Sequence, residues 1–180
     1  MNTNKCNSSD LVEALQKSAV EHLTTYRQLM ARDFGSVATI VTTDYEALYA
    51  YKRGNYQRCL QLSTQNVHAL LYAVRMPDVT ILPEFIQLLD DDFVSLTALM
   101  LLVNPKCRHD DHCTIISQLT LSLYLMTQCQ LKLHHSVTSL AQTLDYIKVA
   151  QRRHRAHRTL IQLTLKLIER KAVAYMSAFL

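Results

Sequence analysis

The chain has 180 residues, of which 49% are apolar and 19% charged, with a formal net charge of +4 and only two glycines and three prolines. Sandwiches, barrels and doubly wound sheets use many more turn residues, and phosphate-cradling loops use several glycines so that backbone N–H groups can approach the ligand. A charge of +4 does not by itself assign a nucleic-acid role.

The N-terminal residues Met1 to Lys5 lead into polar sequence with no apolar core of a signal peptide, so the sequon Asn7-Ser8-Ser9 carries no weight and residues 1–10 read as disordered. Asp10 and Glu13 form a capping pair for a first helix. Its stripe is Val12, Leu15, Ala19, Leu23, Tyr26 and Met30, and Gly35 ends it in the left-handed conformation that glycine tolerates. Residues 36–42 are rich in β-branched side chains and leave helix and extended chain both open. Thr43, followed by Glu46, offers a second capping box.

The stretch from Tyr45 to Arg53 is helix-forming, and Gly54-Asn55-Tyr56-Gln57-Arg58-Cys59-Leu60 then reads as the tight turn of an antiparallel helix hairpin. With Ala47, Ala50, Tyr51 and Lys52 before the turn, residues 43–76 resemble one tetratricopeptide repeat, a helix-turn-helix unit of about 34 residues. The resemblance implies that Gly54 turns the chain, Asn55 caps the second helix, Tyr56 packs between the helices and Cys59 allows their close approach. It further implies a groove that binds peptides, with Lys52, Arg53 and Arg58 meeting acidic ligands. There is no tryptophan, and the proline usual at the end of the unit is displaced to Pro77.

Pro83 opens a short helix through Leu89, which Asp90-Asp91-Asp92 interrupts while capping an apolar helix from Phe93 to Val103 that Asn104-Pro105 stops. Successive residues diverge by about 100° on a helix, so the three aspartates do not converge on a metal. Cys107, His109, His112 and Cys113 are residue types that zinc accepts, but they crowd one loop, whereas structural zinc joins ligand pairs from separate segments. A polar connector whose Asp110 or Asp111 caps the next helix is the preferred reading. From 118 to 125 leucines alternate with polar residues at the period of a strand. A solitary strand would lack backbone partners, so the expectation is a helix from about Thr114 to Leu133, buried between neighbours. Its many polar residues argue against a membrane span.

His134-His135-Ser136 breaks the chain before a stripe of Val137, Leu140, Ala141, Leu144 and Ile147. The basic stretch Lys148, Arg152, Arg153, Arg155 and Arg158, interleaved with His154 and His157, has no aromatic to stack on bases and reads as a solvated helix end. The last helix carries Ile161, Leu165, Ile168, Ala172, Tyr175 and Phe179. Its end outruns the preceding helix, which makes Tyr175 and Phe179 a candidate interface for a second copy or a further element.

The expected class is therefore all-α, with antiparallel helix hairpins stacked as a short tetratricopeptide-like solenoid or an irregular bundle. It reads as one domain over residues 1–180, open to continuation as a longer array. No nucleophile elbow, metalloprotease helix or serine-lysine signature is present. The expectation is a non-enzymatic protein-interaction module that needs no cofactor and binds another protein or acidic peptide. A competing reading is a basic adaptor using residues 148–158, including Arg152 and Arg155, on nucleic acid or acidic surfaces. Five scattered cysteines suit a reduced, intracellular and cytoplasmic setting.

Overall fold

A computed structural model of the chain describes residues 36–72, 80–81, 91–103, 116–153 and 159–178, together with Ala14, Lys17, Ser18, Glu21, His22 and Thr25. The helices whose bounds lie among the described residues are α1 (Ser36–Lys52), α2 (Tyr56–Tyr72), α3 (Asp91–Val103), α4 (Gln118–Lys132), α5 (Val137–Arg153) and α6 (Thr159–Ser177). The only extended pieces among the described residues are β1 (Thr80–Ile81) and β2 (Ile116–Ser117), an antiparallel pair in register Thr80 with Ser117 and Ile81 with Ile116. The class is all-α. The isolated N-terminal residues are helical and exposed at helical spacing, as the polar side of the expected first helix should be.

The β-branched run opens α1 as helix, and the expected capping box at Thr43 does not form. Thr43 lies inside the helix, where its hydroxyl donates to the Thr39 carbonyl at 2.7 Å. Threonine in a helix interior bonds back along the turn, and here its neighbours bury the segment, with Ile40 at 2% exposure.

The centre of the fold is α4, in which every residue from Gln118 to Gln130 is buried. The alternating leucines 119, 121, 123 and 125 fall on two opposite sides of the helix, and all four are buried. The helix starts at Gln118, later than expected, because Ser117 in extended conformation caps it by accepting from the Thr120 N–H. Around it, α1 packs on α2 and α4, α2 on α4, α4 on α5 and α6, and α5 on α6, while α3 lies against α6. Trimming a core side chain such as Leu123, fully buried, costs roughly 2–5 kcal/mol in such a setting.

Buried polar groups on α4 find partners on its neighbours. Gln130 donates to Ser139 Oγ at 3.1 Å and accepts from Thr143 Oγ1 at 2.9 Å, which ties α4 to α5. Cys59 on α2 and Cys129 on α4 are buried free thiols, and the hydrogen bond with Cys59, followed by burial, pushes the Cys129 thiol up, away from its reactive form. The stripe Ile161, Leu165, Ile168 and Ala172 is fully buried inside the chain. Tyr175 continues it and is half-buried, because α6 reaches back past the start of α5 to the turn before it. There its ring stacks on His134 at 6.4 Å and its hydroxyl lies 3.2 Å from His134 Nδ1. Tyr175 is therefore covered by a residue that precedes α5. Phe179 lies outside the described residues.

Candidate interaction surfaces

The α1–α2 turn forms as its residue types require. Gly54 has φ +74°, the left-handed region, and the Asn55 N–H reaches back to the Ala50 carbonyl at 2.9 Å in a helix-ending turn. The Asn55 side chain then accepts from the Arg58 N–H at 3.2 Å, which caps α2. Tyr51 and Tyr56 meet edge to face at 5.6 Å, and Cys59, with 0% exposure, sits where the two helices approach.

The basic residues beside this turn do not converge. Arg58 is held by Glu46 across the hairpin at 2.7 Å and by Gln61 at 3.2 Å. Arg53 lies over the Tyr49 ring, 5.8 Å from its centre. Lys52 is exposed. An acidic ligand would have to compete with Glu46 for Arg58, which weakens the case for this corner as an anion site.

At the end of α5 the basic stretch separates by role. Arg153 donates to the Leu70 carbonyl at 3.0 Å and the Leu71 carbonyl at 2.7 Å, so a planar fork closes the C-terminus of α2, where orphaned carbonyls and the helix dipole favour a cation. Beside it, Tyr146 of α5 meets His68 of α2 edge to face at 5.7 Å. Lys148 pairs with Asp145 at 3.5 Å, and Arg152 is exposed. Arg155, Arg158, His154 and His157 lie outside the described residues, as do Cys107, His109, His112 and Cys113. Among the described residues no group of three metal-binding side chains is placed to hold an ion, and no helix is long and apolar enough to cross a membrane.

Two carboxylates lie among groups that sequence reasoning did not bring together. Asp44 on α1 is 1% exposed and accepts from Ser122 Oγ of α4, while Asn66 of α2 donates nearby to the Ile40 carbonyl at 3.0 Å. Burial pushes its carboxyl from 3.8 up to about 7, against the opposing pull of the hydrogen bonds from Ser122 and Asn66. Its Oδ2 has no hydrogen-bond partner among the described residues. Asp92, at the start of α3, accepts on one oxygen from Lys171 at 2.6 Å, Tyr124 at 2.8 Å and Gln128 at 3.2 Å. Burial alone would raise this carboxyl, but the three donors outweigh it and hold Asp92 below the ordinary carboxylate value. One aspartate of the expected capping run therefore fastens α3 to α4 and α6. Ser122 and Asp44 set a hydroxyl against a carboxylate, but at 0% and 1% exposure the pair is closed to solvent and serves packing.

The outer side of α3 is the most unusual surface. Thr97 and Met100 are buried, whereas Val94, Leu99, Leu102 and Val103 are 41%, 54%, 72% and 75% exposed. Val94, Ala98, Leu99 and Leu102 share one helix face, and no charged residue interrupts the helix after Asp92. An apolar helix with no polar stripe gave no sign in the sequence of which side would remain uncovered.

Comparison of the chain with protein-family models, with curated proteins and with solved structures gave no match.

Proposed function

We propose that this chain is a non-enzymatic helical-repeat module that binds another protein and uses the outer face of α3 as its docking surface. The observation that carries this reading is the exposure of Leu99, Leu102 and Val103, each more than half exposed, on a helix with no charged residue after Asp92. Contiguous apolar surface of this kind is uncommon on monomeric proteins and marks interaction sites. A helix presenting anchors on one side fits a groove on a partner.

Two further observations support hairpins of tetratricopeptide type as the scaffold. The Gly54 turn, the Asn55 cap, the Tyr51–Tyr56 contact and the buried Cys59 match the roles such a hairpin assigns to those positions. Moreover, α1, α2, α4, α5 and α6 form a ladder in which successive helices touch, and α1 reaches α4 while α4 reaches α6. Nearest-neighbour contact of this kind is how stacked hairpins share a core.

The test is site-specific photo-crosslinking in cells. A photoreactive residue at Leu102 should give a discrete adduct with one protein, and the adduct should disappear when Leu99→Glu is added. The same group at exposed Thr138 on α5 serves as the control. Identical smears from both positions would overturn the reading.

A further inference from the structure

The hydrogen bond from Gln151 Nε2 to Glu169 Oε2, at 2.8 Å, and the contact of Tyr175 with His134 fix α6 as running back along α5. On α5 the buried line Leu140, Thr143, Ile147 and Ala150 faces the core, and on α6 the line Ile161, Leu165, Ile168 and Ala172 does the same. Their outward sides therefore bring together residues that are far apart in sequence. Lys148 and Arg152 stand one turn apart on α5, Lys166 and Arg170 one turn apart on α6, and all four are exposed. Arg152, Lys166 and Arg170 make no ion pair among the described residues. Lys148 pairs only with Asp145 at 3.5 Å, with both side chains more than half exposed, a contact of little energetic weight. Val149 and Val173, 39% and 47% exposed, lie on the same outward sides.

We propose that the outward face of α5 and α6, with Lys148, Arg152, Lys166 and Arg170 at its corners, is a second docking surface, for an acidic amphipathic helix of another protein. Charge complementarity selects carboxylates. The two exposed valines add the apolar contact that protein interfaces combine with a charged rim. Two adjacent helices leave a groove along their seam into which the ridge of a third helix fits. Other anionic partners suit the face less well. Among the described residues it carries no aromatic for base stacking, since Tyr146 is turned to His68 and Tyr175 to His134. Its exposed apolar residues are valines, and Leu163, on the same side as Lys166 and Arg170, is partly buried and packed against the core, so the face offers no exposed bulky anchor among the described residues of the kind that seats an interfacial helix in a bilayer. This proposal is independent of the α3 reading, because it rests on other residues and on charge.

The probe is a capped, fluorescent synthetic helix with glutamates flanking a leucine stripe, followed by anisotropy. The full chain should bind it, and binding should weaken between low and physiological salt. The variant carrying Lys148→Glu, Arg152→Glu, Lys166→Glu and Arg170→Glu should bind at least about tenfold more weakly, whereas Leu102→Ser should bind as the parent does. A variant with glutamine at the four positions, its helicity checked by circular dichroism, guards against loss of fold and should also bind weakly. Absence of peptide binding would overturn the proposal, as would binding indifferent to these substitutions. Tighter binding of phosphatidylserine vesicles or duplex RNA by the same protein would likewise reassign the face.

Discussion

Ser122 on α4 donates a 2.5 Å hydrogen bond to Asp44 on α1, across the centre of the core and 78 residues along the chain. The contact places an ionisable group where three helices meet, and its titration sets a pH dependence opposite to that of most acidic residues. Below pH 3.8 the carboxyl is protonated in both folded and unfolded chains. Between 3.8 and about 7 the unfolded chain gives up the proton while the folded chain keeps it, so stability falls as pH rises; above about 7 the loss is complete. Its size is on the order of 4 kcal/mol. Asp44→Asn should therefore flatten this region of the profile and leave the protein more stable than the parent at pH 8. Urea unfolding at pH 5 and pH 8 checks it. A parent whose stability rises over that interval, with no change in slope for the variant, would contradict the assignment.

How much of this was legible in the sequence depended on how far apart the interacting groups lie. The Gly54-Asn55 turn was readable because its donors and acceptors fall within a few residues. The all-round burial of α4 was readable because its leucines fit no single stripe. Asp44 with Ser122, Arg153 with Leu70, and Asp92 with Lys171 were not, since each pair is separated by about 80 residues and no local rule connects them. Thr43 was misread because a capping box and an interior threonine look alike until the preceding β-branched run is known to be helical. The α3 face was hidden for another reason, since an apolar helix without a polar stripe can be wholly buried or half exposed, and its neighbours decide which.

Arg153 serves as the C-cap of α2, a role that its neighbour Arg152 does not share. Arg153→Ala should destabilise the chain by about 1–2 kcal/mol, because the Leu70 and Leu71 carbonyls lose charge-assisted partners. Arg153→Lys should recover only part of this, since an ammonium lacks the planar fork. Arg152→Ala should fall within about 0.5 kcal/mol of the parent. Thermal melts of the three variants provide the comparison, and hydrogen exchange should quicken at the end of α2 only for Arg153→Ala. Equal effects at 152 and 153 would remove the capping role.

The two hairpin turns among the described residues each place a residue in the left-handed region, Gly54 at φ +74° and His134 at φ 52°. A side chain built at Gly54 meets nothing within 4 Å, so any penalty there is conformational and not steric against neighbours. Gly54→Ala should cost about 1 kcal/mol, and Gly54→Val more, because a β-branched residue resists that region further. At His134 the effects oppose one another. His134→Gly relieves the backbone but loses the stacking contact with Tyr175, so its net change should be smaller than that of Gly54→Ala, and in a Tyr175→Ser background, where the stack is already gone, it should be stabilising. Denaturant melts of the double-mutant cycle decide this, and a loss at His134 that persists without Tyr175 would show that the stack is not what offsets the backbone strain.

Asp92 is the fastening between α3 and the rest of the bundle, and its three donors differ in burial. Tyr124 is 1% exposed, whereas the Lys171 and Asp92 side chains are 34% and 41% exposed. Solvent screens the ion pair, so Lys171→Met should cost no more than about 1 kcal/mol. Tyr124→Phe should cost at least as much, because it removes a buried hydroxyl from a bond to a charged acceptor, worth about 1.5–3 kcal/mol. The carboxyl is held below its ordinary value, so its contribution is present above pH 3.8 and fades as the pH falls through the lower folded value. Asp92→Asn should remove that acid-side loss and loosen α3 even at neutral pH. The measurement that isolates α3 is hydrogen exchange of residues 94–103 compared with 119–130 in the central helix. Faster exchange confined to α3 in Asp92→Asn and Tyr124→Phe is the expected outcome, and uniform acceleration of both helices would mean that Asp92 supports the whole core and does not fasten one helix to it.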